Sequence, residues 1–171
     1  MKRDYIKNKG MAMTELLVYL FVFVLISMII IAFIFTLINS IIKAKVDKET
    51  LDNANRIMKI IISEIKEAEY IYTPTSSPNQ LSLKTSRYAG SDENSSYIDF
   101  FLCGTNICFK KEFSDPIIIN TEKVEVSNLV FEIISTGGID SVKIILDINY
   151  KDEGRPILAS SVNLMSAASI R

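Results

Sequence analysis

Hydrophobic positions along this chain fall into three regimes. Residues 16–42 carry no charged side chain, residues 43 to about 70 place apolar side chains at steps of three and four, and beyond Pro78 the step shortens to two. The uncharged run is 27 residues long. A helix needs only about 20 to cross a hydrocarbon core of about 30 Å, so the run predicts a transmembrane helix over 11–42. The second regime puts Leu51, Ala54, Met58, Ile61, Ile65 and Ala68 on one stripe, widened by Ile57 and Ile62. Lys48, Asp52, Lys59, Glu64, Lys66 and Glu67 fall to a solvated face. This predicts an amphipathic half of the same helix over 43–72, ended by Pro74 and Pro78, with an apolar face that needs a sheet to cover it.

The third regime predicts strands. Leu81 and Leu83 mark a short one, 96–102 and 107–113 flank a tight connection, and 117–120 follows the interruption at Asp115-Pro116. Val124 and Val126 lead into Leu129, Phe131 and Ile133, with Val130, Glu132 and Ile134 on the opposite face. Gly137-Gly138 marks a turn, after which Val142, Ile144, Leu146, Ile148 and Tyr150 alternate with polar and apolar neighbours. A polar turn over 151–156 precedes a last strand over 157–164. The expected fold class is α+β: one long N-terminal helix, transmembrane half plus amphipathic half, packed on a mostly antiparallel sheet of about five to seven strands formed by a β-rich domain over 73–171.

Charge orients this arrangement. Residues 1–10 hold Lys2, Arg3, Lys7 and Lys9 against Asp4, while residues 43–52 balance three bases with three acids. The basic leader is expected to stay cytoplasmic and the C-terminal domain to lie outside. The plain reading of such a chain is a signal anchor. A secretory signal, however, carries its small-residue cleavage site after a short apolar stretch, whereas Gly10 precedes this one. A cut there leaves the anchor on the mature protein.

Lys9, Gly10, Met11 and Glu15, followed by Leu16-Leu17-Val18, resemble the processing signature of type IV prepilins and type II secretion pseudopilins. The resemblance implies a pilin-like fold, cleavage between Gly10 and Met11 by a membrane-embedded prepilin peptidase, and N-methylation of Met11. Met11 stands where phenylalanine is usual. It also implies that Glu15 faces the positive amino terminus of a neighbouring subunit during assembly. Ser63-Glu64-Ile65 with Ala68, the segment 126–131 and the terminal Ser169-Ile170-Arg171 are similar to minor pseudopilins of the J type. The function so implied is a structural minor subunit that inserts in the cytoplasmic (inner) membrane and helps initiate or cap a type II secretion pseudopilus or type IV pilus. A tip adhesin or DNA-uptake minor pilin is the alternative. The implied partners are the prepilin peptidase, other pilins or minor pseudopilins, the inner-membrane assembly platform and the lipid bilayer.

The remaining chemistry is sparse. There is no histidine and no tryptophan, and the formal charge is -1. Removing the leader makes the chain more acidic, so no nucleic-acid partner is expected. No nucleophile–base set or convergent carboxylates stand out, so no enzyme and no cofactor are expected. The cysteine pair, Cys103 and Cys108, is spaced by four residues rather than the two of common zinc half-sites. An external hairpin staple is the preferred reading and two packed thiols the alternative, with Gly104 and Asn106 suited to the turn. Asp92 and Glu93 in the tract 88–96 offer carboxylates for calcium, although a solvated loop accounts for them as well.

Overall fold

The apolar run and the amphipathic stripe form one helix, α1 (Asp4–Glu67). The structure, a computed structural model, describes residues 4–90, 93–136, 138–151 and 154–170, with the backbone alone for 4–12, 136 and 139. The chain divides into two units, residues 1–42 and 43–171. In the first, the described side chains from Met13 to Ile42 face outward, apart from a half-buried Ser27.

In the second unit α1 becomes a packing element. Ala54, Ile57, Ile61 and Ile65 are fully buried, and Val46, Met58 and Ala68 nearly so. Each large aliphatic side chain covered in this way contributes about 1.5–3 kcal/mol. Leu51, expected on the buried stripe, is 43 % exposed, and Thr50 is buried in its place. The Thr50 hydroxyl donates to Val46 O at 2.9 Å, so its polar group is satisfied by its own helix and the side chain can face the core. The helix also ends earlier than residue 72. Ala68 N–H closes a tight turn on Ile65 O (3.3 Å), and Glu69 N–H is already bonded to Lys84 O (2.8 Å). Sheet pairing, before any proline, therefore takes over the backbone.

The strands form two antiparallel sheets rather than one. The first has five strands in sequence order: β1 (Tyr70–Ile71), β2 (Gln80–Thr85), β3 (Ser96–Cys103), β4 (Asn106–Lys111) and β5 (Ile117–Ile118). The second has three: β6 (Val124–Thr136), β7 (Ile139–Tyr150) and β8 (Ser161–Ser169). Leu81, Leu83, Ile98 and Phe100 of the first sheet join Leu129, Phe131, Val142, Ile144, Leu146 and Ile148 of the second in one apolar core with the α1 stripe. The fold is α+β.

A β-bulge explains a phase change in β6. Val124 and Val126 point inward at even positions, whereas Leu129 and Phe131 point inward at odd ones. Val126 pairs with Ile148 and Asn128 with Asp147, so Ser127 is the extra residue that absorbs the change. Ile133, expected inside, is exposed together with Ile134 near the strand end. The last strand is also displaced. Pro156–Leu158 form a short 3-10 turn, where Pro156 supplies a favourable first position, and β8 starts only at Ser161. Of the expected Gly137-Gly138 turn, Gly137 lies outside the described residues and Gly138 adopts φ +85°.

Buried polar groups join these layers. Asn120, nearly buried, accepts from Ile107 N–H at 2.9 Å and donates to Asn106 Oδ1 (2.9 Å), Val124 O (3.1 Å) and Thr121 O (3.2 Å). One side chain thus ties β4 to the start of β6. Val126 N–H to Thr105 O and Phe131 N–H to Pro78 O, both 2.8 Å, attach β6 to connections of the first sheet. Asn120→Ala leaves several buried groups unpaired and is expected to cost about 3 kcal/mol. Lys143→Ala, which removes only the exposed Glu132 pair, is expected to cost under about 1 kcal/mol. Urea unfolding of the full chain in detergent measures both, and equal losses would remove Asn120 from this role.

Candidate functional site

Within residues 1–42 the chemistry concentrates at one end of the apolar segment. Lys9, Gly10 and Met11 lie in the backbone of α1, and their side chains are outside the described residues. Glu15 is exposed, and Tyr19, one turn later, donates its hydroxyl to Glu15 Oε1 at 3.4 Å. Beyond it stands an apolar surface with no cover. The most apolar 18-residue window of α1 has mean hydropathy 3.1 and none of it is buried. Its hydroxyls do not break this character, because Ser27 donates to Phe23 O (2.8 Å) and Thr36 to Ala32 O (3.0 Å) within the helix. Every backbone group of such a segment can be satisfied internally, the requirement that hydrocarbon imposes. The segment is long and apolar enough to serve as a single-pass membrane anchor.

In the second unit the expected cysteines meet at the β3–β4 hairpin. Cys103 and Cys108 are disulfide-bonded with Cα atoms 5.9 Å apart. Gly104 and Thr105 form the two-residue connection, and Gly104 takes φ +69° at the first turn position, where a glycine suits a hairpin of type II′. Asn106 starts β4 instead of lying in the turn, and its side chain accepts from Asn120.

The sequence pattern placed Glu64 in solvent, but the structure buries it. Its Oε1 accepts from Tyr88 OH at 2.8 Å and from Arg87 Nη1 at 3.2 Å, while Oε2 is buried without a partner among the described residues. Arg87 also pairs with Glu67 at 2.8 Å. Burial, followed by the hydrogen bond to Glu64, pushes the Tyr88 phenol above its ordinary value. Lys111 Nζ sits 3.9 Å from the Tyr88 ring centroid, a cation–π contact that also holds the ring. Helical spacing could not reveal this burial, because the partners come from a loop 23 and 24 residues away.

A second feature escaped the sequence pattern. β4 ends at Lys111, and Phe113, expected at the end of that strand, has φ +61° and is 88 % exposed. A left-handed conformation at a bulky residue costs about 1–3 kcal/mol. Ile117 and Ile118 of the edge strand β5 are also exposed, so the turn presents several apolar side chains to the outside.

Among the described residues, no group of three or more His, Cys, Asp or Glu side chains is arranged to hold a metal ion. Asp92, one of the two acids considered for calcium, lies outside the described residues. The chain matches no protein-family model, no curated protein and no solved structure. Its functional reading therefore rests on its own residues.

The hairpin gives a direct test. In protein extracted without reductant, thiol alkylation is expected to label neither Cys103 nor Cys108, and after reduction both. Two labelled thiols before reduction would leave the pair a packing role only. Closing so short a loop contributes about 2 kcal/mol at most, so the Cys103→Ser, Cys108→Ser double variant should still fold.

Proposed function

We propose that this chain is a prepilin-type structural subunit, most like a minor pseudopilin of the J type, that helps initiate or cap a type II secretion pseudopilus or a type IV pilus. The observation that carries the reading is the junction itself. Lys9-Gly10-Met11 precedes Glu15, and Glu15 opens an uncovered apolar helix. The antiparallel sheets packed on the second half of α1 support the reading, since they supply a folded head for an anchored subunit.

The chemistry follows from these residues. Cleavage after Gly10 by the prepilin peptidase removes the basic leader and frees the amine of Met11, which is then methylated. Lipid first covers the apolar segment, and the helices of other pilins replace lipid on assembly. In that packed environment an unpaired charge is heavily penalised, so Glu15 pairs with the amino terminus of a neighbouring subunit. Before assembly an intrachain contact with Met11, one helical turn away, competes for the same carboxylate. The exposed turn around Phe113 adds an apolar contact surface outside the membrane, and the subunit needs no catalytic group for any of these steps.

Two measurements test the proposal. Mass spectrometry of protein from host membranes should find a mature chain beginning at Met11, with or without an added methyl group. A retained leader in cells with active prepilin peptidase, or a cut beyond residue 30, would sink the reading. Glu15→Ala should leave insertion and leader cleavage intact but lower incorporation. The quantity to compare is the ratio of filament-associated to membrane-associated protein in the native host, expected to fall about tenfold, as loss of about 1.4 kcal/mol of pairing gives. An unchanged ratio would mean that Glu15 is only a boundary residue.

A further inference from the structure

Four strands border the two sheets, and three of them are protected. β1 and β5 are two residues long, and β6 is bonded to Pro78 O and Thr105 O of the first sheet's connections. Short or covered edges are the usual means of preventing strand addition. Among the described residues β8 has neither protection. Residues 161–169 contain no charge, no proline and no glycine, and β8 pairs with β7 alone without a register shift.

The register shows which backbone groups are free. Tyr150 N–H bonds Ser160 O and Ile170 N–H bonds Asp140 O, so even-numbered residues of β8 face β7. The N–H and C=O groups of Ser161, Asn163, Met165, Ala167 and Ser169 therefore point to the open edge, and the same five side chains lie on the exposed face. Such an edge is recognised by an extended backbone whose side chains bring no conflicting charge.

We propose that β8 pairs antiparallel with β8 of a second copy of this chain, about a twofold axis at Met165. This register is the one that engages all nine residues of both strands, with every outward backbone group used. Two side-chain rows argue for a second copy as the occupant. Val130, Ile145 and Met165 are opposite one another across β6, β7 and β8, and Met165 is 61 % exposed at the open end. The twofold places the two Met165 side chains together and joins both apolar rows end to end. The neighbouring row runs from Glu132 through Lys143 to Ala167, and the twofold sets Ala167 opposite Asn163 of the second copy, beside that copy's Asp147. Lys143 and that carboxylate then stand three strand spacings apart, about 14 Å, with two uncharged residues between them, so this row brings no conflicting charge to the axis on either side. A strand pair alone buries less than the roughly 1,000 Å² of a stable complex. The pairing is accordingly one between copies held at high effective concentration, as on a shared membrane. It does not depend on the pilin reading.

The test uses full-length protein in membranes carrying single cysteine substitutions. Met165→Cys is expected to give a disulfide-linked homodimer on mild oxidation. Ser161→Cys and Ser169→Cys are expected to stay monomeric, because each meets the other's position and not its own. Adding Ala167→Pro to Met165→Cys removes one outward N–H but none that faces β7. It should lower cross-linking at least tenfold at unchanged thermal stability. Absence of dimer at position 165, equal cross-linking at all three positions, an adduct with a different protein, or indifference to Ala167→Pro would each overturn the proposal.

Discussion

Burial of a single stripe on the second half of α1 is the interaction on which the folded domain depends. Neither sheet closes a core alone, since each has one apolar face, and the residues of both faces meet Ala54, Ile57, Ile61 and Ile65 in the same cluster. Backbone bonds between the sheets are few, and they lie at connections and not along a shared ladder. The helix is therefore the template against which two separately paired sheets find a common orientation. Apolar burial is non-directional, however, and supplies cohesion without register.

Register comes from polar groups placed where water is scarce. Asn120 fixes the approach of β4 to β6, and the buried Asn53 on α1 accepts from Thr121 N–H (3.4 Å), while on the solvent side the exposed Arg56 donates to Ile119 O (2.8 Å). These bonds hold residues 119–121 against the helix through backbone atoms that would otherwise need water. Glu64 does the same for the loop after β2 and carries more cost, because a carboxylate with one oxygen unpartnered among the described residues requires its Tyr88 and Arg87 contacts to remain. Outside this layer, Lys123 pairs with Glu49 at 2.8 Å, a contact that raises the lysine above its ordinary value.

Legibility in the sequence followed the kind of force involved. Where burial alone decides, as in α1 and β7, spacing located the inward residues: Ile57, Ile61 and Ile65 at helical steps, Val142 to Ile148 at alternate ones. Where a polar group is satisfied locally, spacing misled. Thr50 enters the core by bonding its own helix, and Leu51 is displaced from it. The parity change between Val126 and Leu129 was present in the sequence, but only pairing with β7 identifies it as a bulge. The split into two sheets, the two-residue β1 and the late start of β8 depend on contacts far apart in the chain, which no local pattern records. Of the candidate functional residues, the hairpin cysteines were legible from turn chemistry, whereas the buried Glu64 and the left-handed Phe113 were not.

The apolar segment raises a separate question, namely why a carboxylate sits at its edge. Twenty-seven uncharged residues span about 40 Å as a helix, roughly 10 Å more than a hydrocarbon core requires. Glu15 precedes that run, so a lipid-embedded helix can shift or tilt until the carboxylate reaches the headgroups, with Tyr19 one turn deeper as its hydrogen-bond donor. Insertion consequently makes no demand for an acid at this position, and a neutral residue would serve it better. A demand arises only when other helices replace lipid and water around the segment, because the edge then becomes an interior and a fixed charge discriminates among packing registers. An apolar surface without charge, such as residues 16–42, can slide along a like surface with little change in burial. Under the proposed assembly Glu15 removes that freedom: the carboxylate sets the axial position of each subunit, and the apolar surface sets how strongly it is held.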